Sequence, residues 1–197
     1  MESWGFRAVF SAIKSIWKAW RPVLSELFTP HQLEDLDGLI LPGGESTTML
    51  KNMSSELWMA LTEFGRNKPV WGVCAGCILM AREVHHPKQD SLNLIDMEVV
   101  RNAYGAQNES FVTELKVMWG DGDYDPSPQE GIFIRAPKIC AVGPSVRILA
   151  SWQDSPVFVC NDLHMATTFH PELSSSSEFH RFFLSRCRTV SRCPAMP

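Results

Sequence analysis

The sequence predicts a three-layer α/β fold with a mostly parallel central sheet and antiparallel additions. A first apolar run at residues 38 to 41 is closed by Pro42, Gly43 and Gly44, and a helical pattern follows over residues 46 to 64. A second apolar run at 70 to 73 leads into a helix from Ala75 toward residue 84. Two such strand, loop and helix units are typical of a parallel sheet with helices on both faces.

Short β runs follow from Met97 onward and predict the antiparallel additions. They lie at residues 99 to 100, 111 to 118, 131 to 134, 146 to 150, 157 to 160 and 165 to 169. A serine run at 174 to 177 precedes phenylalanines at helical spacing, so we interpret it as the start of a last helix and not as a linker. Residues 187 to 197 have the character of a frayed tail.

Composition excludes several classes of function. The chain has 197 residues and a formal charge of -4, with no basic cluster among aromatic residues, so we expect no nucleic-acid partner. No apolar stretch approaches the roughly 20 residues of a membrane helix, and no secretory signal is recognisable. We therefore expect a cytoplasmic protein without stable membrane association. Its six cysteines are spread through apolar runs, as expected for reduced thiols.

Cys74 is the candidate nucleophile. It lies on the turn between an apolar run and a helix, with Gly72 and Gly76 on either side, and a helix N-terminus favours a thiolate. Further along the chain, His170 and Glu172 could supply a proton acceptor and a carboxylate that orients it, if the fold brings them to Cys74. The alternatives are a buried structural cysteine, a strand-ending histidine and a solvated carboxylate.

Two other interpretations of these residues stay open from the residues alone. Cys74 and Cys77 form a C-x-x-C pair, which allows a redox function or half of a zinc site, although no second ligand pair accompanies them. The loop from Leu41 to Ser46 exposes successive backbone N–H groups at the start of a helix, which can hold an oxyanion or can simply form a tight turn.

Five segments in order give the chain a specific resemblance. They are Gly-Gly-Glu-Ser-Thr-Thr within residues 38 to 50, the glycine-flanked cysteine at 72 to 76, Arg-Asn at 101 and 102, Phe-Ile-Arg-Ala-Pro within 131 to 137, and His-Pro-Glu-Leu at 170 to 173. On these motifs the chain resembles class I glutamine amidotransferases, and among them the glutaminase subunits of pyridoxal 5'-phosphate synthase. The resemblance covers roughly residues 33 to 185 and implies a flavodoxin-like fold.

The resemblance also implies an activity and roles for individual residues. It implies hydrolysis of L-glutamine, with ammonia passed to a TIM-barrel synthase subunit for vitamin B6 biosynthesis, and neither a metal nor an organic cofactor. Cys74 would attack the side-chain amide, His170 would act as general base and then acid, and Glu172 would orient His170. The oxyanion would be held by the N–H groups of Gly44 and Ala75. The positions that match glutamine contacts are Gly44, Glu45, Ser46, Arg101, Ile134 and Arg135.

The chain departs from the family at its N-terminus. The apolar first strand of the family is missing, and residues 1 to 21 instead place apolar and basic residues at helical spacing. We therefore divide the chain into a divergent segment at 1 to 21, an amidotransferase domain at 22 to 187 and a tail at 188 to 197. Two alternatives follow: a truncated, weakly active or non-catalytic subunit that still binds the synthase, and a thiol-dependent hydrolase of the wider superfamily.

Overall fold

The computed structural model describes residues 30 to 34, 36 to 101, 110 to 120 and 125 to 191. Its largest sheet has five strands in the order β1, β2, β10, β9, β8. These are β1 (Leu39–Leu41), β2 (Val70–Val73), β8 (Arg147–Trp152), β9 (Ser155–Cys160) and β10 (Met165–Thr167). β2 pairs in parallel with both β1 and β10, whereas β9 pairs antiparallel with β10 and β8. The carboxyl ends of β1, β2 and β10 therefore meet at one edge of the sheet.

Two smaller sheets complete the β structure in the described residues. β3 (Ala81–His85) pairs in parallel with β4 (Ile95–Val100), and β4 pairs antiparallel with β7 (Lys138–Val142). β5 (Ser110–Leu115) and β6 (Gln129–Ile134) form an antiparallel pair. The predicted α/β class with antiparallel additions is confirmed, and the five-stranded sheet is mixed.

Four helices occur in the described residues: α1 (Ser46–Asn52), α2 (Ser55–Asn67), α3 (Ala75–Met80) and α4 (Glu178–Ser191). Single 3-10 turns at Pro30–Leu33 and Pro171–Leu173 accompany them. None of these helices has the length and apolar character that crossing a membrane requires.

The buried side chains divide into two clusters, one on each face of the five-stranded sheet. Val70, Val159 and Ala166 belong to one cluster, while their neighbours Trp71, Phe158 and Met165 belong to the other. Successive side chains of a strand point to opposite faces, so this division is the signature of three layers. The second cluster is rich in aromatic rings, which pack against α4 through Phe179, Phe182 and Phe183.

Three local predictions need correction. The helical pattern over residues 46 to 64 forms two helices, because the chain is extended at Met53 and Ser54 caps the second helix at the N–H of Leu57. The helix from Ala75 ends at Met80, since Ala81–His85 is drawn into parallel pairing with β4. Cys187 is buried within α4 and does not begin a frayed tail. The predictions for residues 1 to 21, including the missing first strand, lie outside the described residues.

Candidate active site

Cys74 lies on a strained elbow between β2 and α3. Its backbone has φ 49° and ψ −102°, a conformation that is costly for a residue with a side chain. The flanking glycines are needed for close approach: a Cβ at Gly72 would lie 2.6 Å from the carbonyl group of Gly76, and one at Gly76 would lie 2.1 Å from the backbone oxygen of Leu41. The backbone N–H of Cys74 donates to Thr167 of β10 at 2.8 Å, which fixes the elbow to the neighbouring strand.

His170 and Glu172 reach the same place from the end of β10. The N–H of His170 donates to the carbonyl oxygen of Ile132 at 2.8 Å, and the ring nitrogen Nδ1 lies 2.7 Å from Oε1 of Glu172. Both side chains are buried, and the thiol of Cys74 is near enough to the imidazole to help raise its pKa. Parallel pairing of β2 with β10 thus produces a line of thiol, imidazole and carboxylate from residues far apart in sequence.

The surroundings of His170 favour its charged form. Burial by itself would lower the pKa of His170, but hydrogen bonds and charge interactions with Cys74 and Glu172 outweigh burial and raise it to about 10. At neutral pH the ring is therefore an imidazolium between two groups that can carry negative charge. An imidazolium beside a thiol favours the thiolate, which is the nucleophilic form of cysteine.

Two backbone N–H groups are available beside Cys74. Ala75 is the first residue of α3, so its N–H has no acceptor within the helix, and Gly44 is exposed in the loop after β1 with φ 140°. Within the described residues neither N–H donates a hydrogen bond. The two loops are held together by the N–H of Gly76, which donates to the carbonyl oxygen of Pro42 at 3.1 Å. This arrangement can accept a negatively charged oxygen.

Glu45 caps the N-terminus of α1 and also accepts a hydrogen bond from Arg101. Its Oε1 accepts from the N–H and hydroxyl of Thr47, and its Oε2 from the N–H and hydroxyl of Thr48 at 2.7 and 2.8 Å. Burial alone would raise the pKa of Glu45, but the hydrogen bonds from Thr47 and Thr48 lower it to about 2. Arg101 donates from Nη2 to Oε1 of Glu45 at 3.0 Å. Helix α1 thus begins with a carboxylate cap that also positions a cation.

Gln89 belongs to this site and was missed by the sequence analysis. Its side-chain carbonyl oxygen accepts from the hydroxyl of Ser46 at 2.9 Å, although 43 residues separate the two. The amide nitrogen of Gln89 and Nη1 of Arg101 are both buried without an acceptor in the described part of the chain. Gln89 lies in an irregular segment between β3 and β4 with no motif, so no sequence signal pointed to it.

Ile134 and Arg135 close the site at the end of β6. The carbonyl oxygen of Ile134 lies 3.8 Å from the sulfur of Cys74. Arg135 is exposed with φ 46°, and among the described residues it has no hydrogen-bond or ion-pair partner. Residues with a side chain in such a strained backbone conformation occur preferentially at functional sites. His170, Glu172 and Ile134 therefore lie around Cys74, and Arg101 lies at the start of α1 beside Glu45 and Ser46.

Cys77 lacks the properties of a second reactive thiol. It is fully buried in α3, and burial together with the charge of Cys74 raises the pKa of its thiol. A fully buried thiol with a raised pKa is a poor nucleophile, and among the described residues neither Cys74 nor Cys77 belongs to a cluster of three metal-ligating side chains, so the redox and zinc interpretations of this C-x-x-C pair lose their support.

A cysteine elbow in a three-layer α/β fold, with an imidazole and a carboxylate following the neighbouring parallel strand, is the arrangement of a thiol-dependent hydrolase or acyl transferase, the class that includes the glutamine amidotransferases. Comparison with known proteins agrees: residues 8–189 match the model of the SNO glutamine amidotransferase family. The chain belongs to that family, so the resemblance found from the motifs is confirmed.

Individual relatives are similar over most of their length. A pyridoxal 5'-phosphate synthase subunit PdxT of Solibacter usitatus is 48% identical over 159 residues, covering 79% of this chain and 82% of the relative. The subunit of the same name from Oenococcus oeni is 44% identical, covering 78% of each chain. A crystal structure of a glutamine amidotransferase superimposes with a TM-score of 0.81 at 34% identity, covering 90% of this chain and 93% of that one.

Proposed function

We propose that this chain is a glutaminase subunit that hydrolyses L-glutamine to glutamate and ammonia, and that the ammonia passes to a pyridoxal 5'-phosphate synthase subunit. The line from Cys74 through His170 to Glu172 carries the proposal, because it is a complete apparatus for attack on an amide. The relatives named PdxT supply the identity of the synthase.

Substrate recognition uses the groups around the start of α1. Arg101 can bind the α-carboxylate of glutamine through Nη1, which has no acceptor among the described residues, while Glu45 holds its other nitrogen. Ser46, positioned by Gln89, and the backbone of Gly44 and Ile134 can contact the rest of the amino acid. Arg135 adds a second cation at the rim.

The first half-reaction forms a thioester. His170 has taken the thiol proton, so the thiolate of Cys74 attacks the amide carbon and a tetrahedral intermediate forms. Its oxyanion is held by the N–H groups of Gly44 and Ala75, and such a donor is worth about 3 to 4 kcal/mol where one has been removed in other enzymes. The carbon–nitrogen bond then breaks while His170 gives its proton to the leaving nitrogen, which departs as ammonia.

The second half-reaction restores the enzyme. Neutral His170 takes a proton from water, and the resulting hydroxide attacks the thioester carbon. The carbon–sulfur bond breaks, Cys74 leaves as thiolate beside the imidazolium, and the new carboxylic acid loses its proton to solvent as glutamate. Glu172 keeps the ring in one orientation throughout. Neither step calls for a metal or an organic cofactor.

The catalytic unit of this proposal is the domain at residues 22 to 187, together with residues 188 to 191 because they complete α4, and the segment at 1 to 21 precedes it. The cysteines of the described residues are all free thiols, which fits a reducing compartment such as the cytoplasm. The synthase would consume ammonia directly, because free ammonia is largely protonated and non-nucleophilic at neutral pH.

The test measures ammonia release from L-glutamine by the full chain, with and without the synthase subunit. The amidotransferase inhibitor 6-diazo-5-oxo-norleucine should label Cys74, and Cys74→Ala should abolish both labelling and hydrolysis. Cys77→Ala is the matched control and should retain most of both. Labelling at Cys77, or no ammonia release in the presence of the synthase, would contradict the proposal.

A further inference from the structure

A second cluster of metal-ligating side chains lies on the outer face of the β3, β4 and β7 sheet. His85 ends β3, Glu98 lies on β4 and Cys140 lies on β7, and one ligand atom from each lies within 4.8 Å of the others. His85 Nε2 is 3.2 Å from Oε2 of Glu98, and the sulfur of Cys140 is 3.3 Å from the backbone oxygen of Glu98. None of these residues takes part in the catalytic site.

A β-bulge builds the cluster. Along the antiparallel pair, Glu98 is opposite Ala141 and Val99 is opposite Ile139, so Cys140 is the extra residue between them. A bulge re-aims a side chain that regular pairing would place elsewhere. Here it leaves Ile139 buried in the core while Cys140 is exposed beside Glu98. The three side chains thus come from three different strands of a hydrogen-bonded sheet, which fixes their backbones.

We propose that His85, Glu98 and Cys140 form a binding site for one divalent transition-metal ion of the zinc class. Imidazole nitrogen, carboxylate oxygen and thiolate sulfur are the three ligand types that Zn²⁺ prefers. With metal–ligand distances of about 2.0 to 2.3 Å, tetrahedral ligands are about 3.3 to 3.8 Å apart, so a separation of 4.8 Å must shorten by about 1.0 to 1.5 Å. Rotation of the exposed Cys140 side chain supplies that movement, and the fourth position is open to water.

Arg82 already contacts the carboxylate group of Glu98, which the metal ion would also bind. It donates from Nη2 to Oε1 of Glu98 at 2.5 Å and pairs with Asp96 at 3.2 Å. The opposite oxygen, Oε2, is the one that faces His85, so a metal ion can bind Oε2 while Arg82 keeps Oε1. Arg82 then fixes the carboxylate from outside, a common arrangement for metal-binding carboxylates.

The experiment titrates Co²⁺ into the full chain carrying Cys74→Ala, so that the thiol of the active site cannot contribute. The expected result is a thiolate-to-cobalt charge-transfer absorption that saturates at one equivalent and disappears when Zn²⁺ is added. Cys140→Ser should remove this absorption, and His85→Ala or Glu98→Gln should weaken binding by about 10- to 100-fold or more. His31→Ala is the matched control, because it removes an exposed histidine that pairs with Glu34 at 3.0 Å and belongs to no cluster of metal-ligating side chains in the described residues.

A second measurement guards against variants that fail to fold. Zn²⁺ should raise the melting temperature of the Cys74→Ala chain and leave that of the chain with Cys140→Ser unchanged, since a ligand stabilises only a fold that binds it. Cys140 is exposed, so serine there should not alter the melting temperature without metal. Absence of a saturating absorption, its survival in Cys140→Ser, or equal affinity in His85→Ala would overturn the proposal.

Discussion

Gly43 offers the sharpest test of how the active site is held. A Cβ at this buried position would lie 2.5 Å from Cε1 and 3.2 Å from Nδ1 of the His170 ring. To reach an ordinary contact of about 3.4 Å, the ring or the loop must move by roughly 0.9 Å. The ring cannot move freely, because Glu172 holds Nδ1 at 2.7 Å. If the loop moves instead, the neighbouring N–H of Gly44 leaves its place.

A displacement of about 1 Å in a catalytic group costs on the order of 100-fold in rate. We therefore expect Gly43→Ala to lower kcat for glutamine hydrolysis by about 100-fold, with a smaller change in KM, because Arg101 and Arg135, the two cations that we propose bind the amino acid, lie outside this loop. The assay is ammonia release in the presence of the synthase, together with the rate of alkylation of Cys74. The alkylation rate reports on the thiol and imidazole pair without the substrate.

Gly65→Ala is the matched control for this substitution. Its Cβ would lie 2.6 Å from a methyl group of Leu94, a comparable overlap, but against the end of a flexible side chain remote from Cys74. Gly65 is within α2, where alanine is the better helix former. Gly65→Ala should keep its turnover. Unchanged turnover and alkylation in Gly43→Ala would refute the close packing of this loop against His170.

Three further predictions concern single side chains. Glu172→Gln should lower turnover by roughly 100-fold or more, and it should lower the pKa of His170 from about 10, which an NMR titration measures. An unchanged pKa would show that Glu172 does not act through the imidazole ring. Gln89→Ala removes the hydrogen bond to Ser46, and the loss of one net hydrogen bond of about 1 kcal/mol should raise KM about fivefold while kcat stays unchanged. Lys88→Ala is the control and should alter neither constant. Burial and the charge of Arg186 lower the pKa of His164 to about 4, so only the unfolded chain binds this proton between pH 6.5 and 4. The free energy of unfolding should therefore fall by about 3 kcal/mol as pH drops through this window, measured by denaturant unfolding at each pH. His164→Asn keeps an acceptor for the N–H of Val70 and should show a smaller fall.

The strands and the elbow could be predicted because their signals are local. Val70–Val73 is an uninterrupted apolar run before a glycine-flanked turn, and its four residues are all buried. The extent of α3 could not be predicted in this way. Residues 75 to 81 are apolar without alternation and fully buried, so periodicity gives no boundary. The helix ends at Met80 because long-range pairing with β4 takes over from local preference.

The site was predictable to the extent that its parts carry motifs. Cys74 and His170 stand out in the sequence, but their contact depends on β10 lying beside β2, and strand order is a property of the whole sheet. The cap of α1 shows a different limit. Ser46 and Thr47 are the usual residues for a helix start, yet the structure uses Glu45, whose longer side chain also reaches Arg101. Gln89 owes its place to tertiary packing alone.

The catalytic residues come from distant parts of the chain: Cys74 directly follows β2, and His170 follows β10, the strand that pairs with β2. Because synthesis proceeds from the N-terminus, Cys74 leaves the ribosome long before His170 exists, and until then its thiol has no proton acceptor. The nascent protein therefore cannot consume glutamine, however well its first strands have formed. For the same reason, the reactivity of Cys74 toward an alkylating agent reports when Met165–Thr167 docks against Val70–Val73 and brings His170 to the thiol.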